Sequence, residues 1–198
     1  MIENRLIASG ATRIAGVDEA GRGACAGPLV VAAVVLKDIH SPVLADVADS
    51  KKLTPSMRES LFDLIIEQSI SYSIISIEPS EIDGIGLHRC NLEGMRRAIS
   101  SLNCEIDYVL TDGYSIDGLV IPNLAVWKGD SVTKSIAAAS VLAKVYRDRI
   151  MVELDRKYPG YGLADHKGYV TASHQTAIEN IGVTDIHRKS YANIARAQ

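Results

Sequence analysis

The apolar positions of the chain follow two patterns. RIAGVDEA, residues 13–20, is mostly apolar until Asp18, and PLVVAAVVL, residues 28–36, carries no polar side chain. Short uninterrupted runs of this kind mark strands buried on both faces. Pro28 opens the second run, where a missing N–H is tolerated. SYSIISIE, residues 71–78, mixes apolar and polar positions and predicts a third strand. The first two strands are joined by a short turn, so an antiparallel meander is expected. CEIDYVLTDGY predicts a strand ending at Asp112-Gly113, and VIPNLAVWKGD another ending near Trp127.

Between these runs the period changes to that of a helix. Thr54 reads as an N-cap with Pro55 at the first helical position, and Met57, Leu61, Leu64 and Ile65 as the apolar stripe. LHRCNLEGMRRAISSL, residues 87–102, places Leu87, Cys90, Leu92, Met95 and Ile99 near helical spacing. SVTKSIAAASVLAKVYRDRIMVELDRKY predicts the longest helix, with Ile136, Ala139, Ala143, Tyr146, Ile150 and Leu154 as its buried stripe. Its small residues at 137–139 let it lie close against a sheet, and Pro159 and Gly160 end it. TASHQTAIENIG predicts one more helix. With no repeat, linker or low-complexity segment, the pattern predicts one α/β domain over 1–198, helical from about residue 158.

Composition narrows the class. Apolar residues make up 47% of the chain and charged residues 23%, the balance of a folded soluble protein. No long uncharged apolar stretch predicts a membrane span, and the N-terminus does not read as a signal peptide. Cys25, Cys90 and Cys104 are odd in number and lack metal-ligand spacing, which fits free thiols in a cytosolic chain. A net charge of −3 argues against a generic nucleic-acid coat, but its distribution is uneven: −7 over residues 1–127 and +4 over 128–198. That asymmetry fits a carboxylate-lined site beside a phosphate-binding surface, and equally fits ordinary surface variation.

The acidic residues at element ends carry the chemistry. Asp18 and Glu19 end the first strand, Asp112 ends a later one, and Asp130 opens the long helix. In α/β sheets such ends meet at one rim, where ligands bind. Carboxylates gathered there raise one another's pKa unless a cation neutralises them, and hard oxygen ligands suit Mg²⁺ or Mn²⁺. Each position also has a plainer role: Asp112-Gly113 as a turn pair, Asp130 as an N-cap. Adjacent strand residues point to opposite faces, so Asp18 and Glu19 reach one site only if the strand breaks or twists there. A break is expected, helped by the glycines that follow. Gly21-Arg22-Gly23 offers close backbone approach and a guanidinium for phosphate. Lys51-Lys52, Lys144, Arg147, Arg149 and the HKGY segment, 166–169, are further phosphate or stacking candidates.

Taken together, GVDEAGRGACAGPLVVAAVVL, ADSKKL, DYVLTDG, KGDSVTKSIAAASVLAKVYRDRIM, YPGYGLADHKGYVTASH and HRKSY resemble the type 2 ribonucleases H. They occur in the family's order over nearly the whole chain. DEAGRG resembles the bacterial ribonuclease HII branch; ribonuclease HIII typically has Lys where Arg22 stands and an extra N-terminal domain. The resemblance implies a ribonuclease H-like fold, a mixed five-stranded sheet with flanking helices. It implies a cytoplasmic, monomeric endonuclease that cuts the RNA strand of RNA/DNA hybrids and nicks 5′ of ribonucleotides embedded in duplex DNA, leaving 3′-OH and 5′-phosphate ends. By the same resemblance Asp18, Glu19, Asp112 and Asp130 hold two divalent ions, Mg²⁺ or Mn²⁺. Gly21, Arg22 and Gly23 hold the ribose 2′-OH, Tyr169 stacks on the following sugar, and Lys51 and Lys167 contact phosphate. His166 and His174 take secondary places. The rivals are a nuclease of the same fold acting on DNA alone, a non-enzymatic nucleic-acid binder, and a small-molecule enzyme with a metal site, for which the sequence offers no apolar pocket signal.

Overall fold

The two continuous apolar runs lie side by side in the middle of a five-stranded sheet. The computed structural model describes residues 1–47 and 54–197. In chain order it contains α1 (Ile2–Ala8), β1 (Ile14–Ala20), β2 (Leu29–Leu36), α2 (Pro55–Glu67), β3 (Ser69–Ile77), α3 (Pro79–Ile85) and α4 (Leu87–Ser100). There follow β4 (Tyr108–Asp112), β5 (Asn123–Val126), α5 (Gly129–Val132), α6 (Lys134–Lys157), α7 (Leu163–His166), α8 (Ala172–Ile181) and α9 (Ala192–Ala195). The strand order is β3-β2-β1-β4-β5. β1, β2 and β3 form the expected antiparallel meander, while β4 runs parallel to β1 and β5 parallel to β4. The sheet is therefore mixed, as the resemblance implies.

Both faces of the central strands are covered, which explains their unbroken apolar runs. Val30, Ala32 and Val34 pack toward Ala137, Ala138 and Leu142 of α6 and Phe62 and Ile65 of α2. Val31, Ala33 and Val35 pack on the opposite face against Met95 and Ala98 of α4. The small residues of α6 let it touch the sheet backbone itself: a Cβ added at Gly16 would overlap the main chain of Ser135. The start of α6 is fixed from the far end of the sequence. Glu3 of α1 is fully buried, and its carboxylate accepts from Ser135 N and Oγ at 2.8 Å and from Lys134 N at 3.1 Å. It satisfies otherwise orphaned helix N–H groups and places a negative charge at the positive end of the helix.

Three expectations change. Thr54 caps α2, accepting from Met57 N, but Met57 is exposed and Phe62 takes its place inside. Tyr146 of α6 is 38% exposed, and Ile150 and Leu154 are only partly buried. The inward positions in that half are Val145, Arg147 and Met151. Because α6 packs against β1 and β2, α2 and α7, it is buried on several sides and shows no single stripe. Short α1 and α3 were not anticipated from the pattern. Beyond residue 158, Tyr161, Leu163, Ile178, Ile186 and Ile194 gather around Cys25 and Ala26, tying the C-terminal segment to the loop after β1. Among the described residues no helix is long and apolar enough to cross a membrane.

Candidate active site

β1 outlasts its neighbour β4. Their pairing ends at Val17 with Thr111, whereas β1 continues through Asp18, Glu19 and Ala20 paired only to Ala32, Val31 and Val30 of β2. At Asp18 and Glu19 one edge of β1 is therefore open, and a cleft of about 490 Å³ lies there. Asp18, Glu19, Asp112 and Asp130 all line it. The expected strand break is absent: the ladder is regular through Ala20. The two neighbouring side chains do leave opposite faces, Asp18 toward Ser140 of α6 and Glu19 toward Asn91 of α4. Both reach the cleft because it opens at the end of the β1–β4 pairing, where either face has access.

Asp112 is half-buried at the end of β4, and its Oδ1 accepts from Gly129 N at 2.6 Å. Asp130 is buried in the short α5 and does not open the long helix. The N-cap of α6 is Thr133, whose hydroxyl accepts from Ile136 N at 3.3 Å. The N-cap role belongs to Thr133 and not to Asp130; Asp112-Gly113 does turn the chain, with Gly113 at φ +73°, while the Asp112 carboxylate faces α5 and lines the cleft.

Burial pushes the Asp18 carboxyl well above the usual carboxylate range, reinforced by the charges of Glu19 and Asp112. Burial likewise raises Glu19 to about 7, with Arg22 opposing and Asp112 adding to the shift. Glu19 Oε2 is buried without a hydrogen-bond partner, as are both amide atoms of Asn91 beside it. The two groups adjoin without reaching hydrogen-bond geometry. Among the described residues no preformed group of three or more His, Cys, Asp or Glu side chains closes around an ion position. The donor set nevertheless fits a hard divalent cation: oxygen-only ligands, an orphaned buried carboxylate oxygen, and acids destabilised by one another's charge.

Gly21, Arg22, Gly23 and Tyr169 line the same cleft. Gly21 has φ +88°, and a Cβ there would run into the Arg147 guanidinium, so the position requires glycine. The Arg22 guanidinium lies 4.5 Å over the Tyr114 ring, which meets His88 edge-on. The Arg22 carbonyl accepts from Tyr191 OH at 2.7 Å and from buried Arg188 Nη1 at 3.3 Å. Tyr169 is 38% exposed and flanks Gly23.

Other basic candidates separate. Lys51 lies outside the described residues. Lys167 lines a second cleft of about 330 Å³ and donates to the Ala164 carbonyl; Arg58 lines both clefts. Lys144 lines the first cleft and pairs with Asp148 at 2.7 Å. Arg147 is not a surface phosphate contact: it is buried and donates to the carbonyls of Ala26, Pro28 and Lys167. Arg149 pairs with Glu59 and covers the Phe62 ring. His166 and His174 sit behind the Tyr169 loop and do not line the cleft.

The sequence reading missed Asn91, Ser140, Arg58 and Tyr114 as neighbours of the site. Asn91 left a trace as a polar residue beside Cys90 in the stripe of α4. Arg188 and Tyr191 lie inside HRKSY, but nothing there shows which backbone they hold.

The sequence profile of the family described as Ribonuclease HII matches residues 15–194. The chain belongs to the ribonuclease HII family. A Ribonuclease HII from Salinispora arenicola is 53% identical over 194 residues, 98% of this chain and 72% of that protein. One from Cutibacterium acnes is 49% identical over 195 residues, 98% of this chain and 96% of its own. The crystal structure of ribonuclease H2 from Pyrococcus horikoshii OT3 matches with a TM-score of 0.82 at 29% identity, covering 94% of this chain and 97% of that one. As a member of the ribonuclease HII family the chain is an enzyme, an endoribonuclease.

Proposed function

We propose that this chain hydrolyses the RNA strand of RNA/DNA hybrids and nicks 5′ of ribonucleotides embedded in duplex DNA, leaving 3′-OH and 5′-phosphate ends. It does so as a single catalytic domain, monomeric and cytoplasmic. Asp18, Glu19, Asp112 and Asp130 would hold two Mg²⁺ or Mn²⁺ ions. Bound there, the ions supply a water of lowered pKa and charge stabilisation at the departing 3′ oxygen. The observation that carries this reading is the convergence of the four acids with Gly21–Gly23 and Tyr169 on one cleft.

The remaining residues account for substrate choice. The Gly21–Gly23 backbone, free of Cβ atoms at two of three positions, lets main-chain groups approach a ribose 2′-OH, the group that distinguishes RNA from DNA. Tyr191 and Arg188 hold that backbone from below. The Tyr169 ring forms the adjoining wall, suited to stacking on the next sugar, and Arg147 lies 5.6 Å from its centroid. Lys51 and Lys167 contact phosphate, with Arg58 and Lys144 extending the positive wall. Glu19 takes up its ionised form when a cation is bound, which releases a proton to solvent.

One cleavage assay tests this. Duplexes of one sequence, all-DNA, single-ribonucleotide and RNA/DNA, are incubated with Mg²⁺, Mn²⁺ or EDTA. Cleavage of only the ribose-containing duplexes, and only with metal, is expected. Asp112→Asn should abolish it by on the order of 10³-fold or more while the circular dichroism spectrum is unchanged. Cleavage of the all-DNA duplex, or full activity of Asp112→Asn, would overturn the assignment.

A further inference from the structure

Three imidazoles lie outside the cleft, packed behind the loop that carries Tyr169. His166 stacks on His174 with ring centroids 4.3 Å apart, and His174 lies 5.4 Å from His187. His174 and His187 are buried. None of the three has a part in the chemistry proposed above.

Their hydrogen bonds admit one proton arrangement. His187 Nδ1 lies 3.1 Å from the Thr184 backbone N–H, which can only donate, so Nδ1 accepts and the proton sits on Nε2. His187 Nε2 is 3.3 Å from His174 Nε2, which must then accept. The His174 proton is thereby placed on Nδ1, 3.0 Å from the Tyr169 carbonyl, which can only accept. The chain is consistent at both ends: a fixed donor at Thr184 and a fixed acceptor at Tyr169.

Neighbouring groups agree. His166 Nδ1 accepts from Gly168 N at 3.2 Å, leaving Nε2–H to donate to the Tyr161 carbonyl at 2.8 Å. Cys25 Sγ lies 3.7 Å from His174 Nδ1, but that nitrogen already carries a proton. The thiol therefore turns to the Gly168 carbonyl at 3.5 Å. Asp185, Tyr161, Cys25 and His166 are the other titratable groups facing the pair. Burial lowers both imidazole pKa values, His187 to about 4; a neighbouring imidazole adds to each shift, while the Tyr169 and Thr184 backbone contacts and the Asp185 charge oppose it.

We propose that Thr184, His187 and His174 form a neutral, directionally ordered relay that positions Tyr169 for substrate, with His174 and His187 as positioning residues. The proposal rests on the substrate role assigned to Tyr169 above. The relay fixes the Tyr169 carbonyl while its ring faces the cleft. The same segment is stitched to the loop after β1, where Gly27 N donates to the Ile186 carbonyl and Arg188 N to that of Cys25. The wall that stacks and the backbone that meets the ribose are thus held in one frame.

Nitrogen-15 NMR of histidine-labelled protein at pH 7 tests the relay without a variant. Neutral His187 with the proton on Nε2, and neutral His174 with it on Nδ1, are expected. The opposite tautomer at either ring, or an imidazolium, would overturn the relay. Its purpose is tested by kinetics on a single-ribonucleotide duplex. His174→Phe should raise KM about tenfold, the loss of one buried hydrogen bond, with kcat within about twofold. His174→Asn, which retains an N–H donor near the position of Nδ1, should recover part of that loss. In a Tyr169→Ala background, His174→Phe should raise KM no further; an additive effect would overturn the positioning role. If Tyr169→Ala leaves KM unchanged, the substrate role of Tyr169 fails and the relay loses its purpose, while the tautomers still decide whether it exists.

Discussion

Glu19 is a carboxylate whose surroundings favour the uncharged form until a cation arrives. Its pKa lies near 7 against a reference of 4.5, and burial is the largest cause. A group raised on folding contributes stability that is full below pH 4.5 and is lost as pH rises through about 7. At pH 8 without metal, Glu19 is ionised where charge is disfavoured. Glu19→Gln should therefore raise the melting temperature in EDTA at pH 8, by about 2–4 °C for each kcal/mol relieved, with little change at pH 4.5. The same variant should lose cleavage. Calorimetry at the two pH values checks the first effect; a lower melting temperature at pH 8 would show that burial is not what governs this residue.

The contact between β1 and α6 is made of backbone. Gly16→Ala would drive a methyl group into the main chain at Ser135, and neither the strand ladder nor the Glu3-capped start of α6 has room to yield. A cost of about 1–3 kcal/mol or more is expected, read as a lower urea midpoint with the slope unchanged. The need for small residues on α6 was legible in the run at 137–139, but its partner Gly16 was not, because a single strand does not disclose which residue lies under a helix. The same distinction runs through the rest of the fold. The meander, the strand ends and the four acids follow from local pattern and from the family resemblance. Tyr146 turned outward and Arg147 inward because α6 is covered on several sides, and helical period reads only one. The strand break was expected from alternation within β1 alone. What brings Asp18 and Glu19 to one cleft is that β4 stops first, a relation between two strands that neither sequence contains.

At the scale of the molecule, the basic character of residues 128–198 is partly turned inward: Arg147 and Arg188 are buried on backbone carbonyls, holding the loop that frames the cleft. That loop has acids on one side and histidines on the other, and the two sets titrate in opposite senses. His187 is held near 4 against a reference of 6.5, and His174 is also lowered. Groups depressed in this way contribute stability above pH 6.5 that is lost as pH falls toward the folded value. Metal-free Glu19 gains stability over nearly the same interval, from about 7 down to 4.5. In EDTA the two trends oppose each other, so the melting temperature should change little between pH 7 and pH 5. Saturating Mn²⁺ reverses the carboxylate trend, because protonation must then displace the ion. Both sets lose stability together, and the melting temperature should fall steeply over that range. The increase produced by Mn²⁺, which follows from binding the folded state alone, should be largest at pH 8 and smaller at pH 5. Scanning calorimetry across this range with and without Mn²⁺ measures it; an equal increase at both ends would show that the buried acids do not take up protons in the metal-free fold.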